Sequence, residues 1–119
     1  MAKVFDFELV EEDLHILMEF CEEGTLLAYF NKINSTQKSK QILDIFSQLV
    51  EAGITMADQG ILHRDLKPDN IMFKQHEGKP LLKVVDFGEA RRIPKSEESY
   101  LIDESYERGT AIYCPPEML

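Results

Sequence analysis

One run of eight residues, His63 to Asn70 (HRDLKPDN), followed later by Asp86-Phe87-Gly88, constrains this chain more than any other feature. The run places side chains suited to phosphate chemistry at fixed spacing. Asp65 can accept a proton, Lys67 can neutralise phosphate charge, and Asn70 offers a hard oxygen ligand of the kind that Mg²⁺ takes alongside water and phosphate. Single residues of the run are also ordinary turn formers around its proline. The whole run, together with a second motif placed after an apolar strand, is too specific for that interpretation.

These residues resemble the catalytic loop (H-R-D-L-x-x-x-N) and the metal-binding turn (D-F-G) of eukaryotic protein kinases. The resemblance implies an α+β, partial protein-kinase-like fold. Residues 1–20 would form the end of the small lobe, with two strands. Residues 21–119 would form the hinge and the upper part of the helical large lobe, with the catalytic loop and the activation segment. Lys67, with Gly109-Thr110 and Tyr113, is similar to the serine/threonine branch of the family.

The resemblance implies a reaction, the transfer of the γ-phosphoryl group of ATP to a Ser or Thr hydroxyl of a protein substrate. Asp65 would orient the attacking hydroxyl and take its proton, and Lys67 would lie beside the transferred phosphate. Asn70 and Asp86 would be the metal ligands, so the expected cofactors are ATP and Mg²⁺. The short hairpin between Asn70 and Asp86 would fold these two ligands back together.

Other motif residues have implied supporting roles. His63 would hold the catalytic loop and the Asp-Phe-Gly turn, since Asp65 already fills the position of the base. Thr110 would form hydrogen bonds toward Asp65 and Lys67. Arg64 would pair with a phosphorylated activation loop, or else with a nearby carboxylate. Within that loop, Ser105 and Tyr106 lie nearest the usual position of activating phosphorylation, although a solvated polar loop explains them equally well.

Met18-Glu19-Phe20-Cys21 resembles the hinge that binds the adenine ring between the kinase lobes. The residues expected to contact the nucleotide are Met18, Glu19, Cys21, Thr25, Leu26, Lys67, Asn70, Met72 and Asp86. Met18 would stand at the back of the pocket. The backbone carbonyl of Glu19 and both backbone groups of Cys21 would meet the edge of adenine. On periodicity alone, the hinge residues are simply strand and core residues.

Hydrophobic periodicity and turn residues predict the secondary structure. The predicted elements are strands 3–9 and 14–20, a short helix 26–33, a long amphipathic helix capped by Ser35 or Ser39 and ended by Gly60, and strands 71–73 and 81–85 joined by a polar loop 75–80. In the long helix, one apolar face is formed by Ile42, Ile45, Phe46, Leu49, Val50 and Met56.

Charge and composition exclude several classes of function. The net charge is −9, which argues against a nucleic-acid-binding protein, since such proteins present a basic face. No apolar run reaches the length of a membrane span, and the start of the chain is too acidic for a signal peptide. Cys21 and Cys114 are too few for a disulfide framework. We therefore expect a cytoplasmic protein with no membrane partner, and the sequence leaves its oligomeric state open.

The 119 residues contain no Gly-x-Gly-x-x-Gly, and they are expected to lack the third-strand Lys and the lower helices of a whole kinase domain. We expect the isolated chain to fold poorly and to transfer phosphate weakly, because an unpaired sheet edge and an unsupported catalytic loop would remain. Two alternatives to an enzyme stay open. One is a non-catalytic, pseudokinase-like binding fragment, and the other is a truncated gene product.

Overall fold

The computed structural model describes residues 1–93, 109–114 and 116, and it confirms the α+β class. The strands are β1 (Val4–Val10), β2 (Asp13–Met18), β3 (Gly24–Thr25), β4 (Ile61–Leu62), β5 (Ile71–His76), β6 (Lys79–Val84) and β7 (Arg91–Arg92). The helices are α1 (Leu26–Lys32) and α2 (Ser35–Asp58), with 3₁₀ turns at Pro68–Asn70 and Ala111–Tyr113. The expected phosphorylation sites Ser105 and Tyr106 lie outside the described residues.

The first predicted hairpin is confirmed as the antiparallel pair β1–β2. Its turn is made by the acidic residues 11–12, and Glu11 adopts a left-handed φ of 57°. Every residue of both strands is exposed, including Phe7 at 73% and Leu9 at 69%. A two-stranded hairpin with both faces in water is marginally stable, so the expectation that the isolated chain folds poorly stays a prediction with physical support.

The two helices start at side-chain caps. The Thr25 hydroxyl accepts the Ala28 N–H at 3.3 Å at the start of α1. At the start of α2, Asn34 and Gln37 exchange side-chain to backbone hydrogen bonds of 2.9 Å in a capping box. The prediction of Ser35 or Ser39 as the cap was therefore wrong by at least one position. Asn34 is the cap because its amide oxygen accepts as well as a serine hydroxyl does, and because Gln37 lies three residues later, where it can return a hydrogen bond to the Asn34 N–H.

The core lies between the helices and the β5–β6 hairpin. Its buried residues are Tyr29, Ile45, Ile71, Phe73, Leu82 and Val84. The predicted loop 75–80 shortens to a turn at residues 77–78, because β5 and β6 stay paired out to His76 and Lys79. Strand alternation sends one side of the hairpin into this core and turns Met72, Lys74, Leu81 and Lys83 to the other side. β3 extends the same sheet by pairing with β5.

Gln48 joins helix α2 to the edge of this sheet. Its side-chain oxygen accepts the Leu82 N–H at 2.8 Å, and its side-chain nitrogen donates to the Pro80 carbonyl at 3.1 Å. These two bonds satisfy backbone groups of an edge strand that has no further strand beside it among the described residues. The amide therefore fixes the hairpin, and with it the residues that flank the hairpin, relative to the helix.

The apolar face predicted for α2 is buried only in part. Ile45 and Met56 are buried and Leu49 packs against the core, whereas Ile42 and Phe46 remain 48% and 63% exposed. Leu43 and Ile54 add to this exposed stripe. In the part of the chain that the structure describes, neither helix is long and apolar enough to cross a bilayer.

Candidate active site

The catalytic-loop motif is held by its histidine. His63 is buried, and its Nδ1 accepts the backbone N–H of Asp65 at 3.3 Å. Its Nε2 therefore carries the proton and donates it to the carbonyl of Val85, 3.0 Å away. The ring also packs against Phe87, with centroids 4.7 Å apart. His63 thus ties the catalytic loop to the Asp-Phe-Gly turn, which confirms the contacts expected of it.

Asp65, Lys67 and Thr110 form a closed triangle of hydrogen bonds. Lys67 Nζ lies 2.9 Å from Asp65 Oδ2 and donates to the Thr110 hydroxyl at 2.8 Å. That hydroxyl in turn donates to Asp65 Oδ1 at 2.8 Å. The contacts expected of Thr110 are confirmed, although residue 110 is separated from residue 65 by 45 positions.

The triangle sets the ionisation of both charged groups. The ammonium of Lys67 and the hydroxyl of Thr110 lower the pKa of Asp65 by hydrogen bonding, against a weaker opposing effect of burial. The hydrogen bond from Lys67 to Asp65 raises the pKa of Lys67, and the negative charges of Asp69 and Asp86 add to the effect. At neutral pH Asp65 is therefore a carboxylate and Lys67 is an ammonium group.

Asn70 lies on the inner side of this cluster and is 5% exposed. Its amide nitrogen donates to the Asp65 carbonyl at 2.9 Å and to Asp65 Oδ2 at 3.2 Å. These bonds fix the orientation of the amide and leave its oxygen, Oδ1, as the atom that faces away from Asp65. An oriented side-chain oxygen of this kind fits a hard cation.

Asp86 is brought to the same place by the β5–β6 hairpin. Ile71 pairs with Val84, and the Val85 N–H donates to the Asn70 carbonyl at 2.9 Å, so the backbone next to Asp86 touches the backbone of Asn70. The expectation that the hairpin folds the two proposed ligands together is met at the level of the backbone. Asp86 is exposed and has a left-handed φ of 58°.

The donor set at this position suits Mg²⁺. Asp86 is exposed, and its Oδ1 accepts the Gly88 N–H at 3.2 Å. Among the described residues, no group of three or more His, Cys, Asp or Glu side chains is arranged to hold a metal ion. A site made of one carboxylate, one amide oxygen, phosphate and water is the kind that Mg²⁺ occupies, because this ion keeps several of its waters.

Two close approaches position the segment after the catalytic loop. Arg64 has a φ of 65°, and its Nε donates to the Glu89 carbonyl at 2.6 Å. The pairing of Arg64 with a phosphorylated activation loop or a nearby carboxylate stays a prediction, because most of that loop lies outside the described residues. Gly109 has a φ of 99°, and a Cβ there would lie 2.6 Å from the Arg64 carbonyl. Only glycine fits this position, which delivers Thr110 to the triangle.

The residues predicted to form the hinge begin at the last residue of β2 and continue toward α1. Met18 ends β2 opposite Val4 and is 39% exposed, whereas Cys21 is buried. The Cys21 carbonyl accepts the Gly24 N–H at 3.1 Å, so one of its lone pairs is already used in a turn. Burial raises the pKa of the Cys21 thiol, with a further contribution from Glu19, so the thiol is a poor nucleophile at neutral pH.

The remaining predicted nucleotide contacts divide between two places. Thr25 caps α1 through its hydroxyl, so a ribose contact would have to share that oxygen with the Ala28 N–H. Leu26 is half-buried and packs against the core cluster. Met72 is half-buried on the face of β5 that points away from the core, opposite Lys83. Met72 is thus better placed than Leu26 to form an apolar floor for a ring.

Sequence reasoning missed the role of the Glu19 side chain. Its Oε1 lies 3.0 Å from Lys83 Nζ and accepts the backbone N–H of Lys3 at 2.7 Å. Its Oε2 lies 3.3 Å from Lys74 Nζ. Burial opposes ionisation of Glu19, but the bonds from these three donors outweigh it and lower the pKa to about 2. In the sequence, two lysines interrupt the apolar strands of the second hairpin, but nothing there identifies Glu19 as their partner.

Comparison with known protein families agrees with this geometry. The family model described as "Protein kinase domain" matches residues 1–119. The chain belongs to this family. The chain is 38% identical over 120 residues to "Calcium-dependent protein kinase 6" of Plasmodium berghei (strain Anka). That alignment covers 99% of the chain and 8% of that protein. It is 36% identical to "Serine/threonine-protein kinase stk11 homolog" of Dictyostelium discoideum, covering 99% of the chain and 20% of that protein.

A third relative is "Ovarian-specific serine/threonine-protein kinase Lok" of Drosophila melanogaster, which is 34% identical over 121 residues, covering the whole chain and 24% of that protein. The kinase domain chain therefore spans no more than about a quarter of the length of these three relatives. The predicted family agrees with the names of all three relatives, and the predicted serine/threonine branch agrees with the names of the second and third.

Proposed function

We propose that the chain provides the hinge, the catalytic loop and the metal-binding turn of a protein serine/threonine kinase, which transfers the γ-phosphoryl group of ATP to a Ser or Thr hydroxyl of a protein. Residues 1–20 would belong to its small lobe and residues 21–119 to its large lobe. The observation that carries the proposal is the triangle of Asp65, Lys67 and Thr110, with Asn70 bonded to the same carboxylate.

Asp65 is suited to orient the attacking hydroxyl. The side chains of Thr110, Lys67 and Asn70 bond this carboxylate, and the backbone N–H of Thr110 adds a further hydrogen bond that lowers its pKa. Since a carboxylate offers about four lone-pair sites, an incoming Ser or Thr hydroxyl would bond Asp65 by taking the place of one of these donors. A low pKa suits this role, because in a loose transition state the hydroxyl needs orientation first and loses its proton late.

Lys67 is suited to neutralise the negative charge of the phosphoryl group during its transfer. It is held by Asp65 and Thr110 before the reaction, and its ammonium can also bond a phosphate oxygen that approaches Asp65. Any shift of Lys67 toward the phosphate would weaken its bond to Asp65 and raise the pKa of that carboxylate, which favours acceptance of the proton. The ammonium group of Lys67 would thus both neutralise the phosphate and control the pKa of Asp65.

Asn70 and Asp86 are the proposed ligands of Mg²⁺, which when bound neutralises and orients the terminal phosphates. At the other end of the nucleotide, the backbone carbonyl of Glu19 would accept a hydrogen bond from the 6-amino group of adenine. Met72 would pack below the ring. Met18, Cys21, Thr25 and Leu26 would complete the pocket, with Thr25 sharing its hydroxyl between the α1 cap and the ribose.

The test is phosphate transfer by the intact gene product that carries this chain. Purified protein is given Mg-ATP labelled at the γ-phosphate and a mixed library of Ser, Thr and Tyr peptides. We expect labelled phosphoserine and phosphothreonine, and loss of both in the variants Asp65→Asn and Asp86→Asn. Asp58→Asn, at the end of α2, removes one negative charge away from the site and should leave transfer unchanged.

The outcome also separates the alternatives. Nucleotide binding without transfer, unchanged by Asp65→Asn, would support a pseudokinase-like binding role. Neither binding nor transfer in a folded protein would refute the proposal. Persistent transfer after Asp86→Asn would remove the metal role that we assign to that carboxylate.

A further inference from the structure

The contact between Lys3 and Glu19 departs from a regular antiparallel ladder. Val4 pairs with Met18, so Lys3 and Glu19 are the next opposite pair. The Glu19 N–H donates to the Lys3 carbonyl at 2.8 Å, as such a pair requires. The reciprocal bond from the Lys3 N–H should go to the backbone carbonyl of Glu19, but it goes to the side-chain oxygen Oε1, 2.7 Å away.

This substitution leaves the Glu19 carbonyl outside the ladder. The carbonyl receives no hydrogen bond from residues 1–93, 109–114 or 116. A backbone carbonyl is a strong acceptor, so one that is left outside the ladder is available to a ligand or to water. It belongs to the hinge, where the proposed function places the 6-amino group of adenine.

Two lysines hold the carboxylate in this position. Lys74 and Lys83 come from β5 and β6, and the register places them on the same face of the hairpin as Met72, which is directly opposite Lys83. Both reach the same Glu19 carboxylate, at 3.3 Å and 3.0 Å. The side chain of Glu19 is 10% exposed, so these ion pairs are screened less than surface pairs.

The ion pairs therefore fix the distance between the backbone of Glu19 and the face of the β5–β6 hairpin that carries Met72, the proposed apolar floor. An adenine ring would have to fit within that distance. They also keep the carboxylate turned toward the Lys3 N–H, so that the backbone carbonyl is not drawn back into the ladder. Neither lysine touches the proposed reaction centre at Asp65, so their influence is on the base-binding end of the site.

We propose that Glu19, Lys74 and Lys83 are positioning residues for adenine: the carboxylate replaces its own backbone carbonyl in the β1–β2 ladder, the two lysines hold it there, and the released carbonyl is kept for the 6-amino group. This inference rests on the proposed function, since it names what selects the base at that site. If the inference holds, the ion pairs contribute to the preference for adenine over other nucleotide bases as well as to the stability of the fold.

The experiment compares two triphosphates in the intact gene product. ATP and purine riboside 5′-triphosphate differ by the 6-amino group, so the ratio of their KM values reports the contact with the Glu19 carbonyl. In Glu19→Ala and in the double variant Lys74→Met/Lys83→Met, we expect the preference for ATP to fall about threefold to tenfold through KM, with kcat changed less than about twofold. A merely structural defect would weaken both nucleotides alike.

Two matched variants serve as controls. Lys79→Met lies on the same strand and the same face as Lys83 and removes the same charge, but among the described residues Lys79 forms no ion pair. It should leave the preference unchanged. Glu19→Gln keeps a side-chain oxygen for the Lys3 N–H but loses the ion pairs, so it should retain part of the preference. The double lysine variant keeps the test decisive if Glu19→Ala does not fold.

A nucleotide-free measurement separates failure of this inference from failure of the proposed function. If the side chain is removed or released, the Lys3 N–H should bond the carbonyl of residue 19, and the carbonyl carbon-13 resonance of that residue should move to higher frequency. An unmoved resonance in both variants would overturn the inference, and so would a moved resonance with an unchanged preference. A wild-type protein that uses neither triphosphate would refute the proposed function, whatever the resonance does.

Discussion

Removing the hydroxyl of Thr110 is the most specific test of the catalytic cluster, because this one group bonds both Lys67 and Asp65. It accepts from Lys67 and donates to Asp65, each at 2.8 Å. Thr110→Val keeps the shape of the side chain and deletes both bonds. A hydrogen bond to a charged partner contributes about 1.5–3 kcal/mol. Because Lys67 and Asp65 still pair directly at 2.9 Å, we expect a net cost near the middle of that range rather than twice its value.

A loss of about 2–3 kcal/mol of transition-state stabilisation corresponds to a fall of about 30- to 150-fold in kcat/KM. The assay is steady-state phosphorylation of a Ser/Thr peptide by the intact gene product, with Thr110→Ser as the matched control. The serine variant restores the hydroxyl and should stay within about fivefold of wild type. A thermal melt of each variant checks that the comparison is made between folded proteins.

The pH dependence gives a second, independent readout of the same substitution. Hydrogen bonds from Lys67 and Thr110 hold the pKa of Asp65 below its ordinary value. Without the hydroxyl that pKa rises, so Asp65 becomes protonated at a higher pH and the acid limb of kcat/KM moves upward. Thr110→Val with wild-type kcat/KM and an unmoved acid limb would refute the role given to the triangle.

Three further substitutions test the fold around the site by urea denaturation of the intact gene product. Asn34→Ala removes the capping box of α2 and should cost about 1 kcal/mol, while Asn34→Ser should cost little; equal effects would contradict the capping role. Gln48→Leu leaves the Leu82 N–H and the Pro80 carbonyl without their side-chain partner and should cost about 1–3 kcal/mol, whereas a neutral effect would mean that water replaces the amide. The pKa of Glu19 is lowered from its ordinary 4.5 to about 2, an upper bound of about 3 kcal/mol that solvent screening reduces to about 1–2 kcal/mol. This stability is present above pH 4.5 and is lost as the pH falls toward 2. Glu19→Gln should lack that acid-dependent loss, and an unchanged pH profile would argue against the ion pairs.

The elements that could be predicted from sequence are those whose signals are local. Apolar runs separated by turn residues located both hairpins, the break at Gly24 preceded the short helix α1, and the helical period of apolar residues located α2. The catalytic cluster was also foreseen, because its residues are five positions apart or are joined by one short hairpin, and the family resemblance supplied Thr110. Boundaries were less accurate. The turn of the second hairpin is two residues long rather than six, since the strands remain paired through polar residues.

The contacts that could not be predicted are those made by chain segments far apart in sequence. Glu19 is 55 positions from Lys74, and no periodicity reveals that one carboxylate receives two lysines and a backbone N–H. The short strands β4 and β7 are similar. Ile61 pairs with Arg92 across 31 positions, and each strand has only two residues, too few for a pattern. The ion pairs of Glu19 and the pairing of β4 with β7 therefore become visible only in the three-dimensional structure.

Two left-handed residues explain why His63 must be a buried histidine. Arg64 and Asp86 are non-glycine residues with φ of 65° and 58°, a conformation that costs about 1–2 kcal/mol each. Such strain persists only where neighbouring contacts over-determine it. His63 supplies these contacts to both turns at once, through the Asp65 N–H on one side and the Val85 carbonyl on the other.

An imidazole is suited to this task because its two nitrogens, one acceptor and one donor, lie on opposite edges of one rigid ring. No aliphatic side chain offers either bond, and an amide cannot present the same flat face to Phe87, 4.7 Å away. The ring therefore sets the spacing between the carboxylate proposed as base and the carboxylate proposed as metal ligand. In this chain the distance between those two functions is fixed by a residue that takes part in neither.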